Sequence, residues 1–312
     1  MPATLYLSVV IPVYNEEKSL PLMYERLFPV LDGIGKPYEV IFVNDGSRDR
    51  SQTVLEELFH KRPDVIRVVQ FMRNYGQHPA IIAGFERVRG EVTVTLDCDL
   101  QNPPEDIPRL LQEIEDGHDV VHGCRAERQD VAWRKAVSRL ANIIRERITH
   151  IRLRDQGSML RAYRREIIDQ IVASDEATPF IPAQAQYFAS NPAEIDVGHE
   201  ERAAGVSNYN VYRLIRLNFD LVTSFSLVPL QLFTIAGMLL SAASLLLVVY
   251  MMLRRIFIGP EAEGIFTLFA ILFLLVSVTM TGLGIVGEYV GRIYSEVRRR
   301  PRYTVKRVLE KL

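Results

Sequence analysis

Glu91-Val92-Thr93-Val94-Thr95-Leu96-Asp97-Cys98-Asp99 decides how this chain is read. Val92 to Leu96 is β-branched and apolar, as a strand buried in a sheet requires. Where that strand ends, two carboxylates flank one residue. Such a pair is a hard oxygen site suited to Mg²⁺ or Mn²⁺, above all when substrate phosphates complete the shell. A D-x-D triplet alone fits a solvated turn equally well, so its meaning rests on its surroundings.

The surroundings repeat the pattern. Short apolar runs at Leu7–Val13, Tyr38–Asn44, Val65–Phe71, Glu91–Leu96 and Asp119–Cys124 predict strands. Helical patterns follow at residues 17–31, 49–61, 78–88, 105–116 and 130–148. Strands rich in Val and Ile, each followed by a helix, predict an α/β domain with a mostly parallel sheet covered on both faces. Further strands are expected near Ser158–Tyr163 and Ala193–Gly198, which carries the domain from residue 1 to residue 205.

Polar clusters fall where these strands end: Tyr14-Asn15-Glu16, Asp45-Gly46-Ser47, Arg73-Asn74-Tyr75-Gly76-Gln77, Asp97–Gln101 and Arg125. Open α/β sheets bind ligands outside the carboxyl ends of their strands, so five clusters in succession predict one functional site. The first strand runs into Pro12-Val13-Tyr14-Asn15-Glu16, not G-x-G-x-x-G, and no G-x-x-x-x-G-K-[ST] occurs. Hydride-transfer and P-loop chemistry are thereby disfavoured. A nucleotide held by carboxylates and a metal fits better.

The chain has 312 residues, with 37 Lys+Arg against 38 Asp+Glu, and a net charge of −1 gives no reason to expect nucleic acid. Its two cysteines, Cys98 and Cys124, suggest neither a disulfide framework nor a zinc site. Residues 5–13 lack a basic flank and contain Pro12, so they are expected to form a buried strand in the cytoplasm rather than a signal peptide.

Beyond residue 205 the character changes. Residues 206–226 are amphipathic, with Arg213 and Arg216 among Val211, Leu214, Ile215 and Leu217, and are expected to lie in a membrane interface. Residues 227–253 and 265–289 form two long apolar stretches, the core of each free of charge, and each exceeds the roughly 20 residues that span a bilayer. A hairpin at 254–264, turning at Gly259-Pro260, joins them and is expected outside the cell membrane, in the periplasm. The basic tail at 290–312, with Arg298-Arg299-Arg300, Arg302, Lys306, Arg307 and Lys311, sets both chain ends in the cytoplasm. Gly287-Glu288-Tyr289-Val290-Gly291 is a small-residue motif that would let helices approach, and Glu288 with Arg292 makes a structural i,i+4 pair.

Val9-Val10-Ile11-Pro12-Val13-Tyr14-Asn15-Glu16, Asn44-Asp45-Gly46-Ser47 and Leu96-Asp97-Cys98-Asp99-Leu100-Gln101 resemble the family 2 glycosyltransferases of the GT-A fold. With the two apolar stretches, the whole chain resembles their polyprenyl-phosphate branch. Arg73-Asn74-Tyr75-Gly76-Gln77-His78, Asp99–Pro104, Ser158–Tyr163, Phe180-Ile181-Pro182, Gly287–Tyr294 and Arg300–Tyr303 narrow it further. They point to members that use a UDP-linked 4-deoxy-4-formamido-L-arabinose donor and undecaprenyl phosphate. The resemblance implies a Mn²⁺- or Mg²⁺-dependent, inverting enzyme of the bacterial inner membrane, acting in lipid A modification and polymyxin resistance. It also implies a homo-oligomer, a tetramer.

Residue roles follow from the same resemblance. Asp45 matches the carboxylate that reads uracil N3–H, and Pro12, Tyr14, Glu16, Asn74, Gln77 and Asp97 would line the donor pocket. Asp97, Asp99 and Gln101 match the metal and diphosphate site. Arg125, Arg128, Ser158, Arg161 and Arg202 are the candidates for the acceptor phosphate, where an arginine fork suits two oxygens at once. Asp155 aligns with a residue proposed as a base in relatives. A phosphate monoester is already ionised near neutral pH, so Asp155 is assigned to positioning. Asp97, Asp99, Arg125, Asp155, Ser158 and Arg202 form the expected catalytic set. Two departures stand out: Asn208 replaces a basic residue, and Gln156-Gly157-Ser158 replaces an aromatic and a cysteine. Alternatives are a bactoprenol glucosyltransferase, a dolichyl-phosphate mannosyltransferase type and a non-catalytic membrane scaffold. A processive synthase is disfavoured because no Q-x-x-R-W occurs.

Overall fold

Leu7–Val13 (β1) and Tyr38–Asn44 (β2) are buried almost end to end, which is why their sequences read as apolar runs rather than alternating ones. A computed structural model describes residues 5–125, 154–155, 158–174, 176, 180–200, 228–257, 265–298 and 301–311. Within β1, Val9 and Ile11 face one core with Leu20, Met23, Leu27, Phe42 and Leu110. Val10 faces the other, with Ile41, Val43, Ile81 and Phe85. This two-residue period divides the chain's apolar mass between the two faces of one sheet.

Helices Ser19–Ile34 (α1), Ser51–Lys61 (α2), Gln77–Phe85 (α3) and Ile107–Glu115 (α4) alternate with strands Ile66–Phe71 (β3), Val92–Thr95 (β4) and Val120–Arg125 (β5). In α4 the buried set is Ile107, Leu110, Leu111 and Ile114, the stripe a surface helix turns toward its core. Helix α1 stops at Gly35, whose left-handed φ of 70° lets its N–H cap the Asp32 carbonyl. Then come Arg161–Arg164 (β6), Arg165–Ala173 (α5), Ile181–Phe188 (α6), Pro192–Val197 (β7), Val228–Phe257 (α7), Ile265–Val297 (α8) and Val305–Leu309 (β8).

The eight strands form one sheet in the order β7-β5-β6-β4-β1-β2-β3-β8. Strands β1 to β4 pair in parallel, as does β5 with β7. The sheet is mixed, because β6 runs antiparallel to β4 and β5, and β8 antiparallel to β3. An apolar run sets which faces are buried but not the strand's direction, so periodicity could not show these reversals.

The chain divides into two compact units. Described residues up to 200, with 301–311, form the sheet unit; α7 and α8 belong to the other. The basic tail expected at 290–312 is thus divided: α8 continues to Val297, and β8 completes the sheet. The helices are 30 and 33 residues long and expose many large apolar side chains, among them Leu239, Leu246 and Phe273. Among the described residues one window, Ile271–Gly291, is long and apolar enough to cross a membrane. The helices meet at Gly282, where a Cβ would stand 2.1 Å from the Phe233 ring. A Cβ at Gly287 or Gly291 would meet no described atom within 4 Å, so the close approach expected there occurs elsewhere. The helix expected at 130–148, the interface segment 206–226 and most of the hairpin lie outside the described residues.

Candidate active site

The ends of β1 and β2 are tied together by backbone and short polar side chains. The Asp45 amide donates to the Val13 carbonyl (2.8 Å), and Asn15, with a positive φ of 56°, donates its N–H to Ser47 Oγ (3.0 Å). Ser47 N–H in turn donates to Asn44 Oδ1 (2.9 Å). Gly46 turns this corner with φ +64°, and a Cβ on it would lie 2.3 Å from the Arg73 carbonyl carbon. Only glycine lets the β2 corner press against the 73–76 loop.

That contact places Asp45. Its side chain is buried and accepts the Tyr75 N–H on Oδ1 (2.6 Å) and the Gly76 N–H on Oδ2 (2.8 Å). Burial raises its pKa while the two amides pull it down. A carboxylate has about four acceptor sites, so two amides do not exhaust its capacity for a ligand N–H. Pro12, which pairs with Val43 near the end of β2, is half-buried, and Tyr14 and Asn74 are exposed. The Glu16 carboxylate accepts from Ser19 Oγ at 2.6 Å.

Asp97 and Asp99 follow β4. Gln77, at the start of α3, donates its side-chain N–H to Asp97 Oδ1 (2.6 Å), joining two of the expected donor residues. Asp99 Oδ1 accepts the Gln101 N–H (3.1 Å), and Leu100 between them is held at φ 61°. A buried leucine in the left-handed region is rare, and such strain concentrates at functional loops. Cys98 turns into the core, where burial and then the charges of Glu16, Asp99 and Asp97 push its thiol pKa well up. Glu16, Asp97 and Asp99 are thus near enough to Cys98 for their charges to bear on it, and burial and those charges disfavour its thiolate. The donors fit a hard divalent cation. Among the described residues no group of three His, Cys, Asp or Glu side chains is arranged to hold a metal, so a cation here would draw further oxygens from its ligand.

At the end of β5, Arg125 and Asp155 form a two-pronged pair. Nε donates to Oδ2 (2.6 Å) and Nη2 to Oδ1 (2.8 Å), with side chains 17% and 9% exposed. Asp155 thus holds the Arg125 guanidinium with both carboxylate oxygens. Ser158 is fully buried. Arg161 corrects an expectation. Its side chain is wholly buried, donating from Nε to the Ser158 carbonyl (2.9 Å) and from Nη2 to the Asp155 carbonyl (3.1 Å). Nη1 lies 2.5 Å from His122 Nδ1. It braces Asp155 and Ser158 rather than meeting an acceptor phosphate, because β6 lies between β4 and β5, where residues 161 to 163 are all buried. Arg128, Arg202 and Asn208 lie outside the described residues.

Sequence reasoning missed the histidines that surround this brace. His122 is buried, with Nε2 at 3.1 Å from Gln186 Oε1, and burial with the Arg161 charge drives its pKa well down. His78 follows Gln77 on α3, packs edge-on against Phe180, and is held down to about 4 by burial and then by Arg161. Both sit inside apolar or strand stretches, where only tertiary contacts reveal the charge they meet.

The model of glycosyl transferase family 2 matches residues 8–172. The undecaprenyl-phosphate 4-deoxy-4-formamido-L-arabinose transferase of Pseudomonas aeruginosa is 46% identical over 304 residues, covering 97% of this chain and 90% of that protein. The protein of the same name from Pectobacterium carotovorum is 47% identical, covering 97% and 93%. In structure, the chain is similar to glucosyl-3-phosphoglycerate synthase from Mycobacterium tuberculosis in complex with UDP. The TM-score is 0.54 at 18% identity, over 70% of this chain and 79% of that one. This likeness carries the fold alone.

Proposed function

As the chain belongs to glycosyltransferase family 2, we propose that it transfers 4-deoxy-4-formamido-L-arabinose from a UDP-sugar to undecaprenyl phosphate. The observation that carries the reading is the 97% coverage of the chain by relatives of that name, with α7 and α8 inside the shared length. Asp45 would receive the uracil edge, in a pocket completed by Pro12, Tyr14, Glu16, Asn74 and Gln77. Asp97 and Asp99, with Gln101, would hold a divalent cation. Bound there, Mn²⁺ or Mg²⁺ would neutralise charge on the departing UDP.

The acceptor explains the acidic and basic division of the site. A phosphate monoester is largely dianionic near pH 7, so its oxygen attacks without losing a proton. A bond forms from that oxygen to the anomeric carbon, the bond to UDP breaks on the opposite side, and configuration inverts. The protein must bring two anions together, and a guanidinium fixed by a carboxylate does this. Arg125, oriented by Asp155, takes that role, with Arg128 and Arg202 as further cations and Ser158 three residues after Asp155. Asp155 positions and does not act as the base.

Two helices of 30 and 33 residues that expose large apolar side chains suit a lipid surround. We assign α7 and α8 as a two-pass hairpin in the bacterial inner membrane, with residues 206–226 at its interface. Residues 254–264 would be periplasmic and both termini cytoplasmic. A homotetramer is the proposed assembly. Purified protein with Mn²⁺ or Mg²⁺, undecaprenyl phosphate and a panel of UDP-sugars tests the donor by product mass. A product with UDP-glucose and none with the formamido-arabinose donor would replace this reading with the bactoprenol glucosyltransferase one.

A further inference from the structure

The loop that grips Asp45 is itself gripped by the far end of the chain. Tyr75 and Gly76 give both their amides to the Asp45 carboxylate. The Tyr75 ring stands edge-on against Phe71 (5.7 Å, 89°), and the Tyr303 ring stacks flat on Phe71 (4.7 Å, 11°). Three aromatic rings thus run in a row from the C-terminal segment to the residue that holds Asp45. Next in sequence, Thr304 accepts the Met72 N–H on its carbonyl (3.0 Å). Thr304, and after it Arg73, hydrogen-bonds the Tyr75 phenol and lowers its pKa.

The segment is anchored at both ends. Tyr303 hydroxyl bonds Glu86, and burial with that bond pushes its pKa up to about 12. Beyond it, β8 pairs with β3 from Phe71↔Val305 to Val68↔Leu309, with an irregularity between Gln70 and Phe71. Glu310 closes the strand on Arg67 (2.8 Å), which also binds the buried Glu39 (3.0 Å). The irregularity falls where the strap leaves regular pairing and turns its residues toward the 72–75 loop, as a bulge does when it re-aims side chains.

We propose that Tyr303 and Thr304 are positioning residues for the donor nucleotide. The C-terminal strap clamps the 73–76 loop, so that its two amides hold Asp45 at the angle the base requires. Neither residue touches the nucleotide. They act through Tyr75 and Phe71, and the strap's contribution belongs to nucleoside binding rather than to the metal or the acceptor. This inference rests on the assignment of Asp45 to a uridine nucleotide.

The test is calorimetric titration of the full-length protein with UDP in Mn²⁺, and with UMP, on the parent and four variants. Tyr303→Ala and Thr304→Val are expected to weaken both ligands roughly five- to tenfold, the worth of one or two hydrogen bonds and a ring contact. Tyr303→Phe keeps the stack and is expected to recover most of that affinity. Thr304→Val preserves shape, so it remains informative if Tyr303→Ala fails to fold. Arg307→Ala removes only the strand's 3.3 Å surface bond to Glu56 and is expected to bind like the parent. Equal UDP affinity in the parent, Tyr303→Ala and Thr304→Val would overturn the inference alone. A parent that binds neither UDP nor UMP would overturn the donor assignment and the inference with it.

Discussion

Breaking the Arg125–Asp155 pair separates a positioning carboxylate from a catalytic base. Asp155→Ala leaves Arg125 without two charge-assisted hydrogen bonds of 2.6 and 2.8 Å, in a pair whose side chains are 17% and 9% exposed. Each such bond is worth about 1.5–3 kcal/mol, reduced here by partial solvent contact. A coupling of about 2–3 kcal/mol follows, which is about 30- to 150-fold in kcat/KM. The assay is the initial rate of lipid-linked sugar formation for the parent, each alanine variant and the double variant. If Asp155 acts only by aiming the guanidinium, Arg125→Ala already forfeits what Asp155 contributes. The double variant is then expected within about threefold of Arg125→Ala. Asp155→Asn, which keeps one acceptor for the fork, is expected to retain more activity than Asp155→Ala. Additive losses in the double variant, or an Asp155→Asn enzyme as dead as Asp155→Ala, would refute the assignment and restore a base.

The other perturbations probe the donor half and the core beneath it. Asp99→Asn keeps the Gln101 amide contact but removes a charge from the cation site; turnover is expected to fall more than about 100-fold, with undecaprenyl phosphate binding unchanged by lipid co-sedimentation. Gly46→Ala forces φ +64° on a residue with a Cβ placed 2.3 Å from backbone, and denaturant melts are expected to show a loss of about 2–4 kcal/mol together with weaker UDP binding. His78 has a folded pKa near 4 against 6.5 unfolded, so below pH 6.5 the unfolded chain takes up a proton that the folded one refuses. Stability is therefore expected to be unaffected by this group above pH 6.5 and to fall by about 2–3 kcal/mol between pH 6.5 and 4. His78→Leu should flatten that part of a pH series of thermal melts.

Three strands of the sheet were legible almost to the residue, because burial on both faces writes itself as an unbroken Val- and Ile-rich run. Leu7–Val13 and Tyr38–Asn44 match their observed bounds, and Ile66–Phe71 differs by one position. The meeting of Asp45 with the 75–76 amides and of Gln77 with Asp97 was legible for a related reason: these residues follow strand ends, and parallel topology gathers strand ends at one edge. Arg161 shows where this reasoning stops. A charged residue in a four-residue strand reads as a surface group. Its inward orientation follows from pairing with β4 and β5, which bring His122 and two backbone carbonyls to meet it. Desolvating a guanidinium is tolerable only with those partners, and no local pattern supplies them. The strand β8 was hidden for the opposite reason. Val305–Leu309 sets Lys306 and Arg307 among three apolar residues and follows the basic run Arg298-Arg299-Arg300, which together read as a solvated tail. Yet an edge strand needs only one apolar face and is well served by charges on the other.

The return of β8 alters what counts as the catalytic unit. Residues 1 to 205 hold every donor residue assigned here, so a boundary at 205 looks natural in sequence. Such a boundary would strip β3 of its outer neighbour, leaving an exposed edge of β-branched residues. It would also remove Glu310 from Arg67, which then faces Glu39 with one fewer partner in a site 11% exposed. Unpaired edges recruit other chains, and a half-broken buried ion network costs more than its absence. The sheet is therefore complete only when the segment after α8 is present. Residues 298–304 join Val297 of α8 to Val305 of β8, so the strand that closes the sheet is covalently continuous with α8, and its approach carries Tyr303 into the aromatic row beside Asp45.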